Sequence, residues 1–136
     1  MLVELTARIR RWGGDLGFQQ LGITDTDLAR HEQRLEEWLA AGFHGEMDYM
    51  ARHGTRRSRP AELVPGTLRV ISARMDYLTA EARPADELMQ RTDRAIVSRY
   101  ALGRDYHKVL RRRLQKLATR IEQAVGPFGY RVFVDS

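Results

Sequence analysis

Hydrophobic positions recur at helical spacing near both ends of the chain. Near the N-terminus they lie three or four residues apart, at Leu2, Leu5, Ile9, Trp12 and Leu16. This spacing predicts an amphipathic helix that ends near Gly13 and Gly14 or runs on to Gly17. A second stripe follows Asp105 and stops at Gly126, which predicts a long helix. The apolar positions of this stripe are Val109, Leu110, Leu114, Leu117, Ile121 and Val125.

Two further helices are predicted between these ends. Cap-type residues at 24–27 precede the apolar positions of one helix, for which Gly42 is a plausible stop. The stretch "HGEMDYMARHG", bracketed by Gly45 and Gly54, predicts a short third helix. The basic, proline-punctuated stretch "TRRSRPAELVPG" then predicts a loop.

Strand patterns are separated by long, partly helical connections. "FQQLGIT" and "TLRVISARMDY" predict strands, "AIVSRYALG" predicts a strand or an extended segment, and residues 79–94 predict a loop with one helical turn. In "GYRVFVDS" the alternation of Tyr130, Val132 and Val134 with their neighbours predicts a final strand. We therefore expect an α/β (α+β) fold, a mixed β-sheet packed with helices, in a single domain over 1–136.

Composition narrows the class of protein. The chain has 136 residues, a formal net charge of +5 and no cysteine, which excludes a disulfide, a thiolate nucleophile and a cysteine-ligated iron–sulfur cluster within it. No signal peptide or membrane-spanning run is evident, so we expect a cytoplasmic protein with no membrane partner. The positive excess favours an anionic partner such as nucleic acid, although so modest a charge also serves solubility alone.

Charged and polar clusters offer candidate chemistry. Cations surround the helix after Asp105 and suit phosphate groups, although such a face is usually only solvated. Arginines in "RRSRP" suit an anionic ligand or form a plain basic loop. In "RDYH" we interpret Asp105 as a helix N-cap and leave the roles of Tyr106 and His107 open. The four histidines lack zinc-site spacing, so we expect no metal ligand in this chain.

Four blocks in one order carry a family resemblance. "FHGEMDYMARH", "RRSRPAELVPGTLRVISARMDY", "VSRYALGRDYHKVLRRRLQKL" and "RVFVDS" closely resemble the N-terminal portion of epoxyqueuosine reductase. The resemblance implies reductive removal of the epoxide oxygen of epoxyqueuosine at the wobble position of tRNA. It also implies cobalamin (vitamin B12), two 4Fe-4S clusters and an electron donor of unknown identity.

The resemblance also assigns roles to particular residues. Asp135 of the "VDS" motif matches the family's catalytic proton donor, and it belongs to the cofactor pocket as well. Arg57 and Ser98 resemble cobalamin contacts. Further pocket residues are Tyr100, Tyr106 and His107.

The chain departs from the family pattern after "VDS". Family members continue into a glycine-rich stretch and a ferredoxin-like module with the cluster cysteines, and neither is present. We therefore expect a truncated cobalamin- and substrate-binding domain that is inactive alone and self-associates through an unpaired edge strand. The alternative function is a non-catalytic basic module that binds RNA or another partner.

Overall fold

The computed structural model describes residues 2–78 and 82–135. Residues 79–81 of the predicted loop, and Ser136 of the "VDS" motif, lie outside the described residues. The chain divides into two compact units. The first unit comprises Met1–Leu21, Ala73–Phe128 and Val132–Ser136, and the second comprises Gly22–Ser72 and Gly129–Arg131.

Helices dominate the described residues, and two short strands accompany them. The helices are α1 (Leu2–Asp15), α2 (Ala29–Ala40), α3 (Tyr49–Arg52), α4 (Pro60–Leu63), α5 (Ala85–Met89) and α6 (Tyr106–Val125). The strands are β1 (Gln20–Thr24) and β2 (Val70–Arg74), and 3-10 turns lie at Gly54–Arg57 and Arg99–Ala101. Within the described ranges, no helix is both long enough and apolar enough to cross a membrane.

The two strands pair in an antiparallel sheet. The pairing is supported where β1 begins, because the backbone N–H of Gln19 donates to the Arg74 carbonyl at 3.0 Å. The side-chain oxygen of Gln19 accepts from the backbone N–H of Asp76 at 2.7 Å. The predicted α+β class, with helices and a sheet in one chain, is confirmed.

The first unit has an apolar core where α1 packs against α6. Helix α1 ends at Asp15, so the glycine pair at 13 and 14 lies inside it. Gly13 is buried, and a Cβ atom there would lie 2.3 Å from Cδ1 of Leu21, so this glycine permits close packing. The buried apolar residues are Ile9, Phe18, Leu21, Leu117, Ala118 and Ile121.

The second unit is held by a carboxylate network that the sequence did not predict. Glu32 of α2 accepts from Arg59 Nε at 2.9 Å and from Arg59 Nη2 at 2.8 Å, and from the Ser58 hydroxyl at 2.5 Å. These hydrogen bonds favour the carboxylate and lower the pKa of Glu32 to about 2. Arg59 also pairs with Glu62 at 3.0 Å. The predicted basic loop is thus largely a 3-10 turn and α4, and its third arginine is engaged within the protein.

The final strand prediction was wrong, because residues 129–135 are assigned to no strand. Of "AIVSRYALG", predicted as a strand or an extended segment, part forms the 3-10 turn Arg99–Ala101, and residues 95–98 before it belong to neither a helix nor a strand. Burial still alternates between Arg131 and Asp135, with Val132 and Val134 more buried than their neighbours. Alternation in the sequence reflects only which side chains are buried, whereas a strand also needs a hydrogen-bonded neighbour. Among the described residues the sheet contains only β1 and β2, so residues 129–135 do not belong to it.

Candidate active site

A polar cluster lies in the first unit where α6 begins. Asp105 is the N-cap of α6, and its Oδ1 accepts from the backbone N–H of His107 at 3.0 Å. The N-cap prediction for Asp105 is confirmed. The cap leaves the side chains of Tyr106 and His107 on the first turn of the helix, next to Asp135.

The imidazole of His107 bridges two carboxylates. Its Nδ1 lies 3.0 Å from Oδ1 of Asp105, and its Nε2 lies 3.1 Å from Oδ2 of Asp135. Because carboxylates only accept, the ring satisfies both contacts when both nitrogens carry a proton. The hydrogen bond from the His107 side chain is the main reason that the pKa of Asp105 lies below its usual value.

The phenol of Tyr106 makes the second contact to Asp135. Its hydroxyl donates to Oδ2, and the loss of this hydrogen bond on ionisation, with burial and the nearby negative charge, raises the pKa of Tyr106 to about 12. The Tyr106 and His107 rings stack with centroids 4.0 Å apart, and Tyr100 meets Tyr106 edge-on at 5.8 Å. These ring contacts fix the direction in which both donors point.

The backbone of Asp135 is in a conformation that side chains disfavour. Its φ is +58°, and it is the one non-glycine residue with a positive φ among the described residues. Aspartate tolerates the left-handed region better than most residues, and strained positions of this kind concentrate at functional sites. The side chain of Asp135 is 57% exposed, so solutes reach it.

This geometry suits proton transfer better than metal binding. Asp105 and Asp135 lie at opposite nitrogens of one ring, so the three groups do not converge on a common point, and no metal-binding group of three or more occurs within residues 2–78 and 82–135. A carboxyl group that contacts a phenol and an imidazole has the parts of a general acid–base site.

The other two predicted pocket residues have free donors. Arg57, in the second unit, donates from Nη2 to the Tyr49 carbonyl at 3.0 Å, while its buried Nε has no partner among the described residues. Ser98 precedes the 3-10 turn, is exposed, and makes no side-chain cap hydrogen bond. The exposed apolar side chains of Ile96, Val97 and Leu102 lie on the same stretch of chain.

The structure brings four of the predicted site residues into direct contact, namely Tyr100, Tyr106, His107 and Asp135. Ser98 lies two residues before Tyr100, and Arg57 belongs to the other unit. Sequence reasoning missed the contact of Asp105 with the His107 ring. The spacing Asp-x-His at the start of a helix could have indicated this contact. His107 is the second residue of the helix, and because its backbone N–H donates to the Asp105 side chain, its ring lies close to that side chain as well.

Taken together, the α+β fold and the cluster around Asp135 define a domain with a candidate acid–base site. A family model described as "Epoxyqueuosine reductase QueG, DUF1730" matches residues 57–136, which include every predicted site residue. The chain belongs to the epoxyqueuosine reductase QueG family.

Curated relatives agree with this family. The chain is 64% identical to an epoxyqueuosine reductase of Pseudomonas aeruginosa over 98% of its length, and 58% identical to one of Vibrio cholerae over 98%. It is 57% identical to one of Escherichia coli over 99%. The chain spans only 37%, 36% and 35% of these three relatives, about a third of their length. No solved structure matches it.

Proposed function

We propose that this chain supplies the proton-donating part of an oxidoreductase that reduces epoxyqueuosine to queuosine at the wobble position of tRNA, with Asp135 as the catalytic acid. The observation that carries the proposal is the position of Asp135, which lies within the family match and contacts both Tyr106 and His107. Protonation makes an epoxide oxygen a better leaving group, so a positioned carboxyl group is expected to accelerate its departure.

Asp135 can carry a proton and keep both contacts. Tyr106 and His107 both contact Oδ2 of Asp135. A carboxyl group that is protonated on Oδ1 still accepts hydrogen bonds at Oδ2. Tyr106 has a pKa of about 12, so it stays protonated near neutrality and holds the carboxyl group in place. Tyr100 supports the Tyr106 ring from its edge.

The residues present fit cobalamin, and do not fit the iron–sulfur clusters. In the first unit, Ser98 has an exposed hydroxyl that can donate to an amide or phosphate oxygen of cobalamin. Arg57, in the second unit, is proposed as a cobalamin contact from the family resemblance. When bound, cobalamin would supply reducing equivalents at the epoxide. The chain has no cysteine, so two 4Fe-4S clusters would have to be held by other sequence.

The exposed face of α6 supports tRNA as the partner. Four of its cations are exposed within nine residues of chain, and none belongs to the ion pairs that join described residues. Unpaired cations on one face are available to phosphates, and the first of them follows His107 directly. We call these four the α6 cations: Lys108, Arg111, Arg112 and Lys116. Cytoplasmic location is part of the same proposal, because tRNA is modified there.

A chimera tests the proposed reaction. This chain would replace the matching third of the Pseudomonas aeruginosa relative, and the product would receive cobalamin, reconstituted clusters, a low-potential reductant and tRNA containing epoxyqueuosine. We expect conversion to queuosine by mass spectrometry of the nucleosides, and none with this chain alone. A chimera that folds, binds both cofactors and leaves the epoxide intact would refute the proposal.

The α6 cations also keep a second function open, namely RNA binding without catalysis. Both functions predict salt-dependent binding of RNA, and they differ in two respects. The reductase proposal predicts that the chain binds cobalamin, seen by equilibrium dialysis, and that the chimera distinguishes epoxyqueuosine-containing tRNA from unmodified tRNA. Binding of RNA with neither property would favour the non-catalytic module.

A further inference from the structure

We propose that His107, oriented by Asp105, supplies the second proton of the reaction by returning a proton to Asp135. This inference rests on the proposed function. It assigns a role to Asp105, which was expected to be a helix cap only, and to the contact of His107 with Oδ2 of Asp135.

The need for a second proton follows from the balance of the reaction. Converting an epoxide to an alkene breaks two C–O bonds, forms one carbon–carbon π bond and releases the oxygen as water. Two electrons enter from a low-potential electron-transfer reductant, and two protons enter at the oxygen. The first proton converts the oxygen to a hydroxyl group as one C–O bond breaks, and the second accompanies its departure as water. A carboxyl group gives only one proton, so Asp135 must be reprotonated within one turnover.

His107 is placed to do this. Its Nε2 lies 3.1 Å from Asp135 Oδ2, which is hydrogen-bond distance, and 52% of its side chain is exposed, so solvent protons reach the ring. An imidazole exchanges protons readily near neutrality, whereas the phenol on the same oxygen does not, because its proton is held tightly. Of the two groups on Oδ2, His107 is therefore the proton supplier and Tyr106 the fixed donor.

Asp105 is the positioning residue of this relay. Its Oδ1 accepts from both the backbone N–H of His107 and the ring Nδ1, each at 3.0 Å. The first contact caps α6, and the second turns the ring so that Nε2 faces Asp135. When Nε2 gives up its proton, Nδ1 keeps its own on Asp105, so the ring remains in the tautomer that can accept another proton at Nε2.

Chemical rescue in the cofactor-loaded chimera tests the proton supply. We expect His107→Ala to lower turnover by about 100-fold or more. Added imidazole should then raise the turnover of this variant at least about tenfold. His107→Phe, which fills the space, should be equally slow and should not respond to imidazole. The matched control is His31→Ala, an exposed histidine of α2, which should leave turnover unchanged. Full turnover by His107→Ala, or a slow variant that imidazole does not rescue, would overturn the inference. Absence of turnover in the unaltered chimera would instead refute the proposed function.

Nuclear magnetic resonance of this chain tests the role of Asp105 without cofactors. Asparagine and serine cap helices as well as aspartate, so Asp105→Asn and Asp105→Ser should keep the helix content and the unfolding midpoint. In Asp105→Ser, whose shorter side chain does not reach the ring, we expect the ¹⁵N resonances of the His107 ring to move toward a mixture of tautomers, while those of His31 stay unchanged. Asp105→Asn keeps a carbonyl oxygen that can accept from Nδ1 but loses the charge, so it should move them less. In the chimera both variants should slow turnover. His107 ring resonances that do not respond to either substitution would contradict the positioning role.

Discussion

Two adjacent glycines of α1 should respond to alanine in opposite directions. Gly13 and Gly14 both lie inside the helix, yet only Gly13 faces a neighbour. A Cβ atom at position 13 would lie 2.3 Å from Cδ1, 2.8 Å from Cδ2 and 3.1 Å from Cγ of Leu21, which is itself buried. A Cβ atom at position 14 meets nothing within 4 Å. The two substitutions therefore add the same methyl group to the same helix in different surroundings.

The expected magnitudes follow from these surroundings. Gly13→Ala gains helix propensity but overpacks the contact with Leu21, so we expect a net loss of about 1–3 kcal/mol in the free energy of unfolding. Gly14→Ala gains propensity without a clash, so we expect an increase of about 0.5 kcal/mol, the lower part of the range because the position is near the helix end.

Urea denaturation of this chain, followed by far-ultraviolet circular dichroism, measures both changes. Gly13→Ala combined with Leu21→Ala serves as the control, because the shorter side chain removes the clash and should make the alanine at position 13 harmless or favourable. If Gly13→Ala is as stable as Gly14→Ala, then α1 does not pack on Leu21 as described, and the account of the first unit's core is wrong.

Three further predictions concern charge and the candidate site. Asp135→Asn should lower the pKa of Tyr106 from about 12 toward its ordinary value of about 10, so that at pH 11 the ionised fraction of the phenol rises from about one-tenth to about nine-tenths. Ultraviolet titration measures this when the curve of the matching Tyr106→Phe variant is subtracted from it. An unchanged titration would exclude the contact. Glu32→Gln should reduce the stability of the chain at neutral pH and make that stability less dependent on pH in the acid range. A carboxylate with a lowered pKa contributes stability above about pH 4.5, and this contribution is lost as the pH falls toward about 2. Thermal unfolding between pH 2 and 7 measures the effect, and a loss of stability in acid identical to that of the unaltered chain would contradict it. Replacing all four α6 cations with glutamine should reduce the slope of log affinity for tRNA against log salt by about 3, and the matched variant with four cations of α1 and α2 replaced should change it little. The α6 substitutions are Lys108→Gln, Arg111→Gln, Arg112→Gln and Lys116→Gln, and the control set is Arg10→Gln, Arg11→Gln, Arg30→Gln and Arg34→Gln.

Helix periodicity was the most informative part of the sequence. The apolar stripes of α1 and α6 predicted both helices, and the residues of those stripes include the buried Ile9, Leu117 and Ile121. Burial of one face of a helix produces a repeating apolar pattern within a single segment, so the helix can be recognised from that segment alone. The alternation at 129–135 predicted a strand wrongly, because a strand also needs a hydrogen-bonded partner elsewhere in the chain, and alternation does not indicate that partner.

The candidate site was predictable to the extent that its residues are local or belong to the family motif. Asp105, Tyr106 and His107 are adjacent, and the resemblance supplied Asp135. What the sequence lacked was the tertiary contact, since nothing local indicates that the His107 ring bridges two carboxylates or that Arg59 is committed to Glu32. Such long-range pairings depend on how the chain folds back, and they are visible only in the structure.

The most direct test of the central claim is the reduction of epoxyqueuosine in tRNA by the chimera with Asp135 unaltered and with Asp135→Asn. Asparagine keeps the size of the side chain and can still accept at its carbonyl oxygen, but it cannot donate an acidic proton. We predict that Asp135→Asn retains cobalamin binding and lowers the rate of queuosine formation by about 100-fold or more. Unchanged queuosine formation by Asp135→Asn would contradict the assignment of Asp135 as the catalytic acid.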